Sequence, residues 1–133
     1  MQMIALTHAL FGLLLALLFD VNPIIVMIFS LVPDIEFILP TFHRGPLHSP
    51  LLLAPFILFS YFYEKRFGLA ILIGLVSHLF LDFLTPQGLP IFYPFSKFYL
   101  SLHFTWNTNA LNWFIIVLCV VLIARKARTQ LYY

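Results

Sequence analysis

The sequence predicts an all-α membrane protein: a polytopic bundle of four to five transmembrane helices with a broken second helix. Three observations predict it. The 133 residues are 62% hydrophobic and 9% charged, where a soluble domain carries about a quarter charged residues. The apolar residues fall into long runs separated by short polar turns. Each of the longer runs approaches the roughly 20 residues that a helix needs to cross a bilayer. One domain is expected, with residues 1–133 forming a single transmembrane unit. There is no internal repeat and no low-complexity tract.

The first segment runs from Met3 to Phe19 and carries Thr7 and His8 near its start. It lacks a basic n-region and contains a histidine, so it is expected to be a span and not a signal peptide. Asp20 to Pro23 is a turn. The second segment, Ile24 to Leu39, is interrupted by Pro33, with Asp34 and Glu36 close behind. The residues before that proline give only about 13 Å of helix. A break there is expected, and broken backbone at membrane depth needs protein or a wet cavity around it. Thr41 to Pro46 is a short polar loop. The third segment runs from Leu47 to Tyr63 and is followed by the charged turn Glu64-Lys65-Arg66.

The fourth segment, Phe67 to Thr85, holds His78 and Asp82 four residues apart, on one helical face. Thr85-Pro86-Gln87-Gly88 ends it. Residues 86–109 form a longer connection with Lys97, His103, Trp106 and Asn107, and its aromatic rings suit a membrane interface. The fifth segment, Ala110 to Ala124, ends in Arg125-Lys126-Ala127-Arg128. The lone Cys119 excludes a disulfide and a thiolate metal site. It is expected to pack in the core or face lipid. The net charge of +2 comes with no basic patch that would suggest a nucleic-acid partner. Five crossings put Lys65, Arg66, Arg125, Lys126 and Arg128 on one side, and Arg44 and Lys97 on the other. The excess of positive charge inside then places the N-terminus outside and the C-terminus in the cytoplasm.

Alternation of direction brings His8, Asp34, Glu36, His43, His48, His78 and Asp82 to one side of the membrane. Each alone would read as a polar contact between helices. Gathered at one depth, they point to a metal site built from imidazole and carboxylate. The ligand count suits one or two divalent transition ions, with zinc expected first and manganese or iron next. Arg44 reads equally as a solvated loop cation or as a two-pronged phosphate ligand. Ser49 is expected to cap the third segment. His103 is expected at the interface.

These residues resemble a known family. Thr7-His8, Val32-Pro33-Asp34-Ile35-Glu36, His43-Arg44-Gly45-x-x-His48-Ser49, His78-x-x-x-Asp82-x-x-Thr85-Pro86-x-Gly88 and Tyr93-Pro94-Phe95-Ser96 occur in this order. The pattern is similar to that of the YdjM-like family of small membrane-bound proteins, described as metal-dependent hydrolases. It covers Leu6 to Ser96 and leaves out the fifth segment and basic tail, 110–133. Leu47 and Glu36 depart from it, standing where Thr and Asp are common.

The resemblance and the residues together imply a membrane-embedded, metal-dependent hydrolase. Its substrate would be a phosphorylated lipid or related ester at the outer face of the plasma membrane. His8, Asp34, His48, His78 and Asp82 would hold metal. Glu36 would be the general base or a further ligand, and Arg44 would neutralise phosphate. His43, Ser49, Thr7 and Thr85 would support them. The membrane lipid is then both surroundings and substrate. The contrasting expectation is a non-catalytic metal-binding, ion-translocating or structural membrane protein.

Overall fold

The structure, a computed structural model, describes residues 3–38, 44–103 and 107–131. It is predominantly helical: α1 (Ala5–Phe19), α2 (Pro23–Leu31), α3 (Pro50–Tyr63), α4 (Lys65–Phe83) and α5 (Thr108–Leu131). Two 3-10 helices, Val32–Ile38 and Pro46–His48, flank the loop between α2 and α3.

Local chemistry explains most of the boundaries. Asp20 adopts a left-handed conformation and ends α1. Asn22 then caps α2: its side-chain oxygen accepts from the backbone N–H groups of Ile24 and Ile25 at 3.0 and 3.3 Å. Pro23 supplies a preset first turn. α2 lasts only nine residues. At Val32 the chain tightens into the 3-10 helix that contains Pro33 and carries Asp34 and Glu36, so the second segment is broken where Pro33 disfavours a continuing α-helix. Pro50 opens α3, later than the expected Leu47, because Pro46–His48 form their own turn.

α4 is the mostly buried helix on which α2 and α3 pack, while α1 packs against α2, α5 and α4. Gly74 is what lets α2 lie so close to α4: a Cβ there would stand 2.6 Å from the carbonyl oxygen of Val26. α5 runs parallel to α1. Thr7 at the start of α1 donates to Asn112 of α5 at 2.7 Å, and Lys126 near the end of α5 donates to the carbonyl of Leu17. Cys119 is buried in an apolar cluster with Met3, Leu14, Leu81 and Ile115, which is core packing. Most of α5's other apolar side chains, including Trp113, Phe114 and Val117, are exposed.

The connection after α4 contains a feature absent from the sequence reading. Leu89–Pro90 (β1) pairs antiparallel with Tyr99–Leu100 (β2). Gly88, with φ of 68°, makes the turn into β1. A Cβ there would meet the carbonyl oxygen of Leu100 at 2.5 Å. The hairpin is tied over the end of α4 by Leu102 N–H donating to Phe83 O at 2.9 Å and by Ser101 Oγ donating to Thr85 O.

Two helices are long and apolar enough to cross a membrane: α4, with 19 residues, and 22 residues of α5, Thr108–Thr129. α1 and α3 are apolar but have 15 and 14 residues, roughly 21–23 Å of helix against a hydrocarbon core of about 30 Å. The helix lengths therefore establish two candidate spans where four to five were expected.

Candidate metal centre

Four segments deliver polar side chains to one end of the bundle. α1 brings His8, the 3-10 helix after α2 brings Asp34 and Glu36, and the turn before α3 brings His48. α4 brings His78 and Asp82. His8, Glu36, His48, His78 and Asp82 are each no more than 3% exposed, so water does not satisfy them. Asp34 stands at the rim, with its side chain 22% exposed.

His78 and His48 are each held by one ring nitrogen. Nδ1 of His78 lies 2.7 Å from the carbonyl oxygen of Ser30. A carbonyl only accepts, so this nitrogen carries the proton and Nε2 is left with its lone pair. Nδ1 of His48 lies 2.8 Å from Oε2 of Glu36. Glu36 also accepts from the backbone N–H groups of Gly45, at 2.8 Å, and Leu47. Glu36 thus fixes the ring of His48 in the way that carboxylates orient metal-bound histidines.

The two free nitrogens meet. Nε2 of His48 and Nε2 of His78 are 3.3 Å apart. Oδ2 of Asp82 is 3.4 Å from the first and 3.6 Å from the second. Two lone pairs and a carboxylate oxygen facing each other repel unless a cation stands between them. A tetrahedral ion with ligand bonds of about 2.0–2.1 Å sets its ligands roughly 3.3–3.4 Å apart. The triangle of His48, His78 and Asp82 therefore has the size of one face of a tetrahedral metal site and could hold such an ion. Asp34 Oδ1 lies 3.9 Å from His78 Nε2, and His8 Nε2 lies 3.9 Å from Asp82 Oδ1. The His8 ring is stacked on that of His78 with centroids 4.0 Å apart. Its Nδ1 is buried without a hydrogen-bond partner among the described residues. The residue groups His8–His78–Asp82 and Asp34–His48–His78 could each hold an ion. All five expected ligands are thus brought together.

Arg44 is placed differently from the expectation. It is 4% exposed, and its Nη2 donates to Asp82 Oδ1 at 2.9 Å. Its Nη1 donates to the carbonyl of Gly88, and both terminal nitrogens reach Thr85 Oγ1 at 3.5 Å. Burial pushes the guanidinium below its ordinary value, with Asp82, Asp34 and Tyr99 acting the other way; an arginine remains a cation all the same. In this arrangement Arg44 clamps Asp82 and the end of α4, and it does not present an open fork to a phosphate. Glu36 likewise has both oxygens engaged, in orienting His48 and holding the backbone of Gly45 and Leu47; the expectation was a general base or a further ligand.

The supporting residues also sort themselves. Thr85 Oγ1 donates to the carbonyl of Asp82 at 2.7 Å while receiving Arg44, so it does support the cluster. Ser49 occupies the N-cap position of α3 but makes no capping bond. Its hydroxyl donates to the carbonyls of Ile91 and Tyr93 at 3.2 and 3.3 Å, fastening the hairpin segment to the site. Thr7 turns away from the cluster to Asn112. His103 is exposed, its Nδ1 3.4 Å from Ser101 O. His43 and Trp106 lie outside the described residues. Ser30 and Asn112 went unremarked in the sequence. A serine carbonyl leaves no trace in a motif, whereas an Asn in an apolar helix is a visible signal.

Among known proteins, the family profile described as "YdjM inner membrane protein" matches residues 3–132. The chain is 48% identical over 52 residues to the uncharacterized protein ORF4 of Methanothermobacter thermautotrophicus, covering 39% of this chain and 22% of that protein. It is 47% identical over 55 residues to the uncharacterized protein ORF4' of the same organism, covering 41% of this chain and 24% of that one. Each match thus spans less than a quarter of the relative's length. No solved structure matches.

Proposed function

Because this chain belongs to the YdjM inner membrane protein family, we propose that it is a membrane-embedded metal-dependent hydrolase acting on a phosphorylated lipid or related ester. The observation that carries the reading is the convergence of the Nε2 atoms of His48 and His78 and an Asp82 oxygen at 3.3–3.6 Å. A three-ligand face of two histidines and one carboxylate matches the donor number of catalytic zinc sites, which keep a further position open. A divalent metal held there would supply Lewis acidity and a water activated near neutral pH.

The chain's own residues have distinct parts in this reading. His48 and His78 would hold the ion, oriented by Glu36 and the Ser30 carbonyl. Asp82 is the anionic ligand, and Arg44 and Thr85 keep its carboxylate turned inward. His8 closes the protein side through its stack on His78. Asp34, with its side chain 22% exposed at the rim, would be the group placed to accept a proton from water, or a further ligand. This reassigns the base from Glu36 to Asp34. Zinc is the first expectation for the ion, and one ion suffices for the distances. The crossing of the membrane by α1, α3 and the broken second segment belongs to this proposal, as does the external placement of the site.

The second reading is a non-catalytic, structural metal centre. It is favoured by the engagement of Arg44 with Asp82, which leaves the substrate's charge without that cation. Transport is less favoured, because the buried hydroxyls of Ser30, Ser77 and Ser60 are bonded to helix carbonyls at 2.7–2.8 Å. The test is turnover by purified, metal-loaded protein of a panel of phosphorylated lipids and simple phosphate esters. Metal-dependent release that is lost in His78→Ala supports the hydrolase. Full metallation with no release from any member of the panel gives the structural reading the lead.

A further inference from the structure

We propose that Pro33 is a positioning residue of the metal centre. By withholding a backbone N–H it reserves the Ser30 carbonyl for Nδ1 of His78, and so aims Nε2 of that ring at His48 and Asp82.

α2 is regular to its end, where Val32 N–H still donates to the carbonyl of Ile28. In a continuing α-helix the next carbonyl, that of Phe29, would take the N–H of residue 33. In the 3-10 helix that follows, Val32–Ile38, donors lie three residues on, and the Ser30 carbonyl would take that same N–H. Residue 33 is proline and has none. Pro33 is fully buried and Ser30 is 0% exposed, so water does not replace the missing donor. Backbone groups freed by a proline in an apolar bundle are met by a neighbouring helix. For Ser30 that helix is α4: Nδ1 of His78 donates to its carbonyl at 2.7 Å.

Packing delivers His78 to this carbonyl. A Cβ at Gly74 would stand 2.6 Å from Val26 O and 2.8 Å from Phe29 Cβ, so α2 and α4 approach closely there. Four residues further along each helix, Ser30 meets His78. The two contacts are one turn apart on both helices, so α2 and α4 run in the same direction at this crossing. The Ser30 hydroxyl donates to the carbonyl of Met27 at 2.8 Å, which leaves the backbone carbonyl as the acceptor for His78.

The consequence is chemical. His78 offers Nε2 to a metal only while its proton sits on Nδ1, and an acceptor at Nδ1 fixes both ring and tautomer. An N–H at position 33 would compete for the end of α2 and let that helix run on past Leu31. His78 would then lose its orienting partner. The inference rests on His78 being a metal ligand, and not on hydrolysis.

The test compares Pro33→Ala with lactic acid at position 33, introduced by suppression of a stop codon. The two side chains are the same methyl group, and lactic acid carries an ester oxygen in place of the N–H. Full-length protein is read in two ways: zinc affinity, and nitrogen NMR of the histidine rings without metal, with His78 assigned by its loss in His78→Asn. Pro33→Ala is expected to lower zinc affinity roughly 10–100-fold and to turn the Nδ1–H form of His78 into a mixture of tautomers. Lactic acid is expected to keep both at wild-type values. Equal loss in the two variants assigns the effect to the proline ring or to a shift of Asp34, and overturns the proposal. Wild-type behaviour in Pro33→Ala also overturns it. A second variant covers failure of Pro33→Ala to fold. The α-hydroxy analogue of leucine at position 31 turns the Ser30 carbonyl into an ester, a weaker acceptor, and changes no side chain. It is expected to mix the His78 tautomers, and an unchanged ring signal overturns the proposal. If the wild-type protein binds no zinc, the metal reading falls and the ring signals still decide the role of Pro33.

Discussion

His48 and His78 bring their Nε2 atoms to 3.3 Å while the opposite nitrogen of each ring is held by an acceptor, Glu36 for one and the Ser30 carbonyl for the other. Neither pair of contacts would be informative alone. Together they put a proton on each Nδ1 and turn both Nε2 atoms toward the same point as Asp82. A proton shared between the rings could occupy that point. The added carboxylate and the stacked third histidine favour a metal ion.

The first prediction concerns these ligands. Changing His78 or Asp82 to Ala is expected to weaken metal binding by more than the roughly 10–100-fold that follows loss of an orienting partner. Metal content of the purified variants, measured against wild type, checks it. Wild-type content in both variants would contradict the site.

Glu36 provides a sharper case. Glu36→Gln keeps the size of the side chain but loses the charge that holds Nδ1–H of His48. Metal affinity is expected to fall about 10–100-fold, with the helical content retained. If affinity is unchanged and only turnover is lost, Glu36 is a base after all and its hydrogen bonds to Gly45 and Leu47 are incidental.

For Arg44, the buried pair with Asp82 predicts a stability effect. Arg44→Met keeps an apolar stem and leaves Asp82 as an uncompensated buried charge, which costs about 3–5 kcal/mol in comparable pairs. The loss is expected in the metal-free protein and should shrink when metal is added, because the ion then faces the same carboxylate. Thermal unfolding with and without metal checks it. Unchanged stability, with loss of turnover confined to phosphorylated substrates, would return Arg44 to the role of a phosphate ligand.

Topology is tested by cysteine labelling in a Cys119→Ala background. With five crossings, a cysteine at position 43 is reached only from outside and one at position 128 only from the cytoplasm. If both label from one side, the broken second segment is re-entrant and four segments cross. Labelling of position 43 only from inside reverses the orientation.

Much of the centre was legible in the sequence, because its logic is local or periodic. The i, i+4 spacing of His78 and Asp82, the proline before Asp34, and the alternation of apolar segments needed no coordinates. They were enough to put five ligands at one end of the bundle. The roles of Glu36 and Arg44 were not legible. A carboxylate two residues from a ligand can be a base, a ligand or an orienting group, and only the bonds to Gly45, Leu47 and His48 separate these. Arg44 reaches Asp82 across 38 positions of sequence, a contact that no spacing rule contains. The hairpin at Leu89–Pro90 and Tyr99–Leu100 was also hidden, since two-residue strands carry too few residues to show a period. The number of spans is less legible: apolar runs suggest four to five crossings, whereas helix length and composition establish two candidate spans, α4 and α5.

The most direct test of the metal centre is X-ray absorption at the metal edge of the purified protein. The arrangement of His8, His48, His78 and the two aspartates predicts nitrogen and oxygen neighbours at about 2.0–2.2 Å, with the outer-shell scattering of at least two imidazoles, and loss of one imidazole in His48→Ala. A bound metal with a purely oxygen shell and no imidazole signal, or protein that retains no metal after reconstitution, would contradict it.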